Sequence, residues 1–547
     1  MKKVVVDLLL DVLKGKLKKE EIESSVEVPV NDENGDYSFP CFFLAKIEKK
    51  NPLAIADDVC KKIRLKLHKA EEISSVNAVA GYVNFFINKR MLARDVLKNN
   101  IKIKKICNEK IIIDYSHPNV AKHFGIHNLR STLIGSSIYK ILTAVGNKTI
   151  SINHLGDWGT QFGKLIVAYN LWGKDVNSVE DLNKLYVRFH EEAEKNLELE
   201  EDARKEFKKL EDGDKKNIHL WEKFYDLSIK EFNSVYNILG IKFDETKGES
   251  KFNDVSVVRK DLEKRSLLKE SDGAMVVEIS GDNPPLIFEK SDEATTYASR
   301  DLAAIYYREK KGADKILYVV DVAQSLHFEQ VFEVAKKLGI KSELIHVKFG
   351  RLKFKDMKMS TRKGNIILFE DLLKKAEEKS LENIEEKSPN LKNKKSVARK
   401  VALAGIIFND LKQDRKLDIV FDWDEALSFE GRTGPYLLYS YARASSIIRK
   451  TKSKKKVEIF DLKTEEIRLI KKISEFSDVV EKASKDFSPS VIANYSYELA
   501  KLFNEFYHSC PVLGSLEEGF RLKLVDVFRK TLKKSLGLLG IDVLEEM

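Results

Sequence analysis

Between Asp114 and Asn128 the chain reads Asp-Tyr-Ser-His-Pro-Asn-Val-Ala-Lys-His-Phe-Gly-Ile-His-Asn, a carboxylate, three imidazoles, an ammonium and two amides within one short stretch. Upstream, Ile111 to Ile113 form a β-branched apolar run suited to a strand buried on both faces, and Pro118 bars that strand from continuing. Downstream, Leu129, Leu133, Ile134, Ile138 and Leu142 recur at helical spacing. The polar cluster from Asn119 to Asn128 therefore sits at a strand-to-helix turn. Such a turn aims free backbone N–H groups at an anion and suits the phosphates of a nucleotide. A plain crossover loop with solvated histidines would show the same pattern, so the turn alone leaves both readings open.

Other chemistry-bearing residues are spaced to meet it. The string His154-Leu-Gly156-Asp157-Trp-Gly159-Thr-Gln-Phe-Gly163 follows a second strand pattern, Ile150 to Asn153, and its glycines permit the close backbone approach that a loop around a ligand needs. Tyr297 and Asp301, four apart, share one face of a helix. Ile316 to Val320 is a strand ending in Asp321, with Gln324 and His327 opening the next helix. Strands alternating with helices imply a doubly wound parallel sheet, whose ligands lie at the strands' carboxyl ends, where Asp114, Tyr297, Asp301 and Gln324 could converge. Singly, each is as readily a cap or a surface group. Lys358-Met359-Ser360-Thr361-Arg362-Lys363-Gly364 puts three cations and a glycine on a loop, which can follow developing charge onto phosphates.

The chain has 547 residues, 43% of them hydrophobic, enough for about three domains with their own cores. Lysine and arginine number 96 against 86 acids, a net +10 that favours a large anionic partner without requiring one. Four scattered cysteines lack paired metal-ligand spacing and read as reduced thiols in cores. No apolar run reaches the roughly 18 residues of a membrane span, and two acids interrupt the apolar start, which argues against a signal peptide. Residues 1–105 read as a small α+β domain with a turn at Asn34 to Ser38 and a strand at Tyr82 to Ile87, and the lysine-rich stretch 98–110 as its linker. Residues 175–235 read as a charged helical insertion, and the chain beyond about 386 as all helix. There Tyr436, Tyr439, Tyr441 and Arg443 interleave aromatics with a cation, a pattern that fits stacking on unpaired bases and equally a helical core.

Taken whole, Ser116-His-Pro-Asn-Val-Ala-Lys122 and Leu129-Arg-Ser-Thr132 resemble the ATP-binding signature of the arginyl enzymes among the class I aminoacyl-tRNA synthetases, usually Ser-Pro-Asn-Ile-Ala-Lys-Pro-x-His-x-Gly-His-Leu-Arg-Ser-Thr. With the flanks in register, the family's His-x-Gly-His falls on Gly125, Ile126, His127 and Asn128. Two arrangements follow. Either His127 works one position early with Asn128 as a second donor, or the loop slips so that His123 and His127 form the pair around Gly125. Lys358-Met-Ser-Thr resembles the second signature, Lys-Met-Ser-Lys, with Thr361 in the second lysine's slot and Lys122 the residue taken to substitute for it. The string at 154–163, a Gly-Asp-Tyr turn at Gly35 to Tyr37, the strand at Gly81 to Phe85 and the closing Leu536-Gly-Leu-Leu-Gly-Ile541 are similar to the same family; its usual Pro-Glu-Arg near the end is Leu544-Glu545-Glu546 here.

The resemblance implies an α/β, Rossmann-like, doubly wound catalytic domain with an insertion (106–385), an N-terminal tRNA-recognition domain (1–105) and a helical anticodon-binding bundle (386–547). It implies an arginine-tRNA ligase that activates L-arginine with ATP and passes it to a terminal ribose hydroxyl of tRNA(Arg), with tRNA required for the first step as well. Mg2+ is expected with the ATP, with no tightly held protein-ligated metal, and the protein is expected to be a cytoplasmic monomer without a membrane partner. Lys122, His127, Asn128, Lys358 and Ser360 would be catalytic; His123, Gly125, Gly156, Asp157, Gly159 and Met359 would serve ATP. Asn119 and Tyr297 would hold the amino acid, with Asp114, Asp301 and Gln324 reading its guanidinium, and Tyr37, Tyr436, Tyr439 and Arg443 would meet tRNA. The rival from another class is a tRNA-binding relative that keeps the fold without catalysis. A synthetase for an apolar amino acid would leave the acidic groups buried and unpaired.

Overall fold

The computed structural model describes residues 1–29, 31–98, 102–173, 175–291, 294–354, 368–451 and 456–547. The expected phosphate-binding residues Lys358, Met359 and Ser360 lie outside them. By contact the chain divides into two compact units, one made of Met1–Lys102, Ile447–Glu475 and Lys501–Lys530, the other of Ile103–Ser446, Phe476–Ala500 and Thr531–Met547.

In the first unit a three-stranded antiparallel sheet has the spatial order Tyr37–Pro40, Tyr82–Ile87, Ile73–Val79. Val83 and Phe85 are fully buried, and they pack with Val5 and Leu9 of the helix Lys2–Leu13 and with Val59 and Ile63 of the helix Pro52–Arg64. Ahead of this sheet, the short 3-10 helix Asp32–Asn34 turns through Gly35, with φ 93°, and Asp36 into the first strand. In the unit's helical part, Arg521 Nε donates to Glu466 Oε1 at 2.8 Å, both side chains buried.

The second unit is built on five parallel strands in the order Glu343–His346, Lys315–Tyr318, Lys110–Asp114, Lys148–Leu155, Glu245–Gly248. Its centre is the isoleucine run: Ile111, Ile112 and Ile113 are at most 1% exposed, as a strand covered on both faces requires. The order reverses beside that strand, because the chain goes first to Lys148–Leu155 on one side and later returns to Lys315–Tyr318 on the other. A crevice opens at such a switch point, beyond the strands' carboxyl ends. In the chain between Glu245–Gly248 and Lys315–Tyr318 lies a second, three-stranded antiparallel sheet of Leu268–Ser271, Ala274–Val277 and Leu286–Glu289. The charged segment 175–235 forms the helices Val179–Ala193, Glu198–Glu211 and most of Lys215–Leu239.

One expectation needs correction. The chain beyond 386 is not entirely helical: Ile419–Phe421 is a short strand, paired in parallel with Leu352–Phe354. Its β-branched and aromatic residues suit a strand, and Ile419 and Phe421 bury one face of it. The helices Lys394–Leu411 and Gly434–Lys450 flank it.

Candidate active site

At the switch point the chain leaves the strand at Asp114 through a strained turn. Ser116, His117 and Ala121 all have positive φ, 85°, 53° and 62°, although none is glycine. Such residues cost on the order of 1–3 kcal/mol each and persist only where neighbours fix them. Here Ser116 N donates to Ser131 Oγ at 3.0 Å, Thr132 Oγ1 donates to Ser116 Oγ at 2.8 Å, and the Tyr236 hydroxyl stands 2.8 Å from Ser116 Oγ. Ala121 N donates to Ser228 Oγ at 2.8 Å. The helix Ile126–Ala144 then begins at Gly125, which has no side chain to cap it; Asn128 N donates to the Gly125 carbonyl at 3.0 Å.

Gly156 fixes the opposite edge of the turn. It bridges Asn119 in parallel, and a Cβ on it would fall 2.1 Å from Asn119 Oδ1, so only glycine lets the amide lie there. Gly159, with φ 130°, opens the helix Thr160–Trp172.

These elements enclose a cavity of about 640 Å³. Of the residues expected from sequence, Asp114, Asn119, His127, Asn128, Gly156, Tyr297, Asp301 and Gln324 line it. Lys122, His123, Gly125, Asp157 and Gly159 are not among its lining residues. Four carboxylates face it (Asp114, Glu249, Asp301 and Asp321), and among the described residues no lysine or arginine is in the lining, so this part of the cavity suits a cationic ligand.

On the strand-side wall both oxygens of Asp114 are engaged, while Arg308 Nε and Nη1 are buried without a hydrogen-bond partner among the described residues. Arg308 Nη2 donates to Asp114 Oδ2 at 2.6 Å, His117 Nε2 lies 3.0 Å from Asp114 Oδ1, and His154 Nδ1 lies 3.0 Å from Arg308 Nη2. Arg308 and Asp114 are 1% and 3% exposed. Burial alone would raise the Asp114 carboxyl, but Arg308, then His117 and His154, outweigh it and hold the group well below the usual carboxylate range. Burial pushes His154 down to about 4, so its ring is neutral at pH 7 and accepts from Arg308 through Nδ1.

The helix-side wall is open. On the helix Tyr297–Glu309, Asp301 is one turn past Tyr297, which is 59% exposed with the Arg300 guanidinium 5.0 Å from its ring centre. Asp301 Oδ2 is bonded to His327 Nε2 at 2.6 Å; Oδ1 takes no hydrogen bond among the described residues. Beneath it, Glu249 is pushed up to about 7 by burial; Arg300 Nε stands 3.4 Å away and only partly offsets that, while Asp301 adds to it.

The two candidate histidines of the turn sit in different surroundings. His127 is open to the cavity yet crowded by protein, and that burial, with Lys122 nearby, lowers its pKa. His123 points to the insertion: its Nδ1 lies 3.2 Å from Glu231 Oε2 and its Nε2 3.4 Å from Glu180 Oε2. The hydrogen bond to Glu231 raises its pKa against the opposing effect of burial. Lys122 stands 5.9 Å from the centre of the Tyr186 ring, its pKa lowered by burial. Asp157 is buried as a latch, accepting from Ser250 N at 2.8 Å and Ser250 Oγ at 2.7 Å, while its carbonyl accepts from Trp221 Nε1 at 2.7 Å.

Of the residues expected to meet tRNA, Tyr439 is 40% exposed with Arg443 lying 4.7 Å over its ring. Tyr436 is half-buried against Tyr497, their rings 5.8 Å apart, and Tyr37 is partly buried in the first unit's core. Tyr441, by contrast, is a core residue whose hydroxyl donates to Glu545 at 2.9 Å. Among the described residues no group of histidines, cysteines and carboxylates has the arrangement of a metal site, and no helix is long and apolar enough to cross a membrane.

Glu249, His117, His154, His327 and Arg308 belong to the site or its walls but are not among the residues expected to act there. A signal existed for His327, one helical turn beyond Gln324, and for His117 and His154, both inside stretches already marked. Glu249 follows a strand whose Glu-Thr-Lys-Gly sequence has no strand pattern, and Arg308 lies in Tyr-Tyr-Arg-Glu-Lys-Lys, which reads as surface.

Known proteins resemble the chain along its whole length. Residues 90–423 match the catalytic domain of the class I (R) tRNA synthetases, residues 2–87 an arginyl tRNA synthetase N-terminal domain, and residues 437–547 a DALR anticodon-binding domain. The arginine–tRNA ligase of Clostridium perfringens strain 13 is 45% identical over 97% of each chain, and that of Clostridium botulinum strain Langeland 45% identical over 96% of each. In three dimensions the arginyl-tRNA synthetase of Plasmodium falciparum superposes with a TM-score of 0.82 at 26% identity, covering 100% of this chain and 98% of that one. The Thermus thermophilus enzyme shares the fold over the full length of both chains, with a TM-score of 0.85 at 24% identity. With a family model spanning the catalytic domain and full-length relatives at this identity, the chain belongs to the class I (R) tRNA synthetases, the family of the arginine–tRNA ligases.

Proposed function

We propose that this chain is an arginine-tRNA ligase: the arginine carboxylate attacks the α-phosphate of ATP, diphosphate leaves, and a terminal ribose hydroxyl of tRNA(Arg) takes the arginyl group from the adenylate. The observation that carries the reading is a cavity at the sheet's switch point walled by four carboxylates, with one oxygen of Asp301 unclaimed among the described residues and the first turn of Ile126–Ala144 contributing His127 and Asn128 to its lining. A guanidinium is a rigid fork of donors and needs such acceptors; a phosphate needs N–H donors.

On this reading Asp301, Glu249 and Gln324 receive the side chain of arginine, and Asn119 and Tyr297 its amino-acid end. Asp114, with both oxygens occupied, acts through Arg308 and His117. His127 and Asn128, which line the cavity, face ATP, and Lys122, Lys358, Met359 and Ser360 answer its phosphates. Catalysis then comes from orientation and from donors placed where charge develops, with no nucleophilic side chain. Mg2+ arrives on the ATP phosphates. Tyr37 in an N-terminal domain of about 1–105 and Tyr439 with Arg443 in a helical domain of about 386–547 contact the tRNA, while 106–385 carries the chemistry. The protein works as a cytoplasmic monomer.

The test is aminoacylation of total tRNA with arginine, ATP and magnesium. Arginyl-tRNA should accumulate, and no other amino acid should replace arginine. Retention of tRNA without any ester formed would instead mark the chain as a binding protein that keeps the fold.

A further inference from the structure

We propose that His327 is a positioning residue for Asp301, holding one carboxylate oxygen so that the other is presented to the substrate's guanidinium; the inference rests on the ligase reading above. His327 is in the first turn of the helix Ser325–Lys337, one turn beyond Gln324, and both line the cavity. Its Nε2 lies 2.6 Å from Asp301 Oδ2, and each side chain is 27% exposed, so the bond is partly shielded from water. The imidazole is itself held edge-on by Phe328, ring centres 5.3 Å apart at 80°. Phe328 in turn is packed by Tyr318 at 5.3 Å, Phe332 at 5.5 Å and His346 at 4.8 Å. The position of the ring is thus set by a cluster of aromatics, and through it the plane of the carboxylate.

The consequence concerns how arginine is read. A carboxylate free in a pocket takes a guanidinium with both oxygens at once. Here Oδ2 already accepts one hydrogen bond from His327, so Asp301 presents its unbonded Oδ1 in a fixed direction, and the fork's remaining donors are left for other acceptors. Glu249, lining the same cavity, is a second carboxyl group without a short ion pair, Arg300 Nε standing 3.4 Å from it. His327 therefore divides recognition between two carboxylates and fixes where the guanidinium plane can lie. Without it Asp301 can turn about its side-chain bonds, and the pocket loses its preorganised acceptor.

The test uses the full-length protein with tRNA present and measures arginine-dependent pyrophosphate exchange. His327→Ala should raise the KM for arginine by about tenfold, the loss of one hydrogen bond to a charged group, with kcat within about threefold of wild type and the KM for ATP unchanged. His327→Gln, which retains an N–H donor, should return most of the arginine KM. In an Asp301→Asn background, His327→Ala should change the arginine KM by less than about twofold, since there is no longer a carboxylate to orient. A role confined to folding would lower Tm or kcat in both His327 variants alike and leave arginine KM untouched. A normal arginine KM in His327→Ala, no recovery in His327→Gln, or additive effects in the double variant would each overturn the inference. Failure of the wild-type protein to exchange with arginine at all would instead overturn the ligase reading beneath it.

Discussion

The two walls of the cavity carry the same chemical group in opposite condition. Asp114, at the end of the central strand, has one oxygen bonded to Arg308 and the other to His117, and is almost wholly buried. Asp301, on the facing helix, is partly exposed, with one oxygen bonded to His327 and one unclaimed among the described residues. A buried carboxylate with both oxygens engaged belongs to the framework, because removing either partner strands a charge in low dielectric. A half-buried carboxylate with spare capacity has something left to offer a ligand. The turn repeats the contrast: His123 is consumed by Glu231 and Glu180, whereas His127, four residues on, opens to the cavity. Chemistry-bearing residue types are therefore not enough to mark a site; what separates reader from framework is whether hydrogen-bonding capacity is left over.

The largest effect should come from breaking the strand-side wall. Arg308→Met leaves Asp114 buried without its guanidinium, and loss of one partner from such a pair costs about 3–5 kcal/mol. Denaturant unfolding measures it, and a loss below about 1 kcal/mol would mean that the strand-side wall is not framework. Next, the contrast within the turn predicts that His127→Ala and Asn128→Ala each slow pyrophosphate exchange on the order of a hundredfold, while His123→Ala is nearly normal. A crippled His123 variant beside a normal Asn128 variant would reverse the assignment and favour the slipped arrangement around Gly125.

A smaller effect should appear with pH. His154 on the strand-side wall has its pKa lowered from an ordinary value near 6.5 to about 4, so the unfolded chain takes up a proton in that interval that the folded protein refuses. Stability should fall as pH drops from about 6.5 towards 4. His154→Gln should flatten that part of the profile, and an unchanged slope in the variant would show that other groups produce it.

How far the sequence foretold this depends on how local each signal is. Ile111 to Ile113 and the helical spacing from Leu129 are local patterns, and they located both the central strand and the helix that carries His127. Asp114, Asn119, Asn128, Tyr297, Asp301 and Gln324 were legible because they flank such patterns, and they do gather at one cavity. The strand Glu245–Gly248 was not, since at the sheet's edge it holds polar residues whose partners lie elsewhere: Tyr307 donates to Glu245 Oε2 at 2.7 Å, and Lys311 pairs with Glu245 as well. Glu249 was lost with it. Arg308 looks like a surface cation until its partner, 194 residues away in the chain, is seen to bury it. The strand Ile419–Phe421 is three residues long, too short to show alternation, and exists only because Leu352–Phe354 lies alongside.

One pair of measurements tests the distinction between the walls most directly: Tm and the arginine KM, determined side by side for Asp114→Asn and Asp301→Asn. Removing the Asp301 charge should cost arginine binding about 1.5–3 kcal/mol, roughly ten- to a hundredfold in KM, with Tm close to wild type. Asp114→Asn should lower Tm markedly and, in whatever folds, change the arginine KM by much less. If instead Asp114→Asn keeps its Tm and loses arginine as severely as Asp301→Asn does, Asp114 reads the guanidinium itself and the division between framework and reader is wrong.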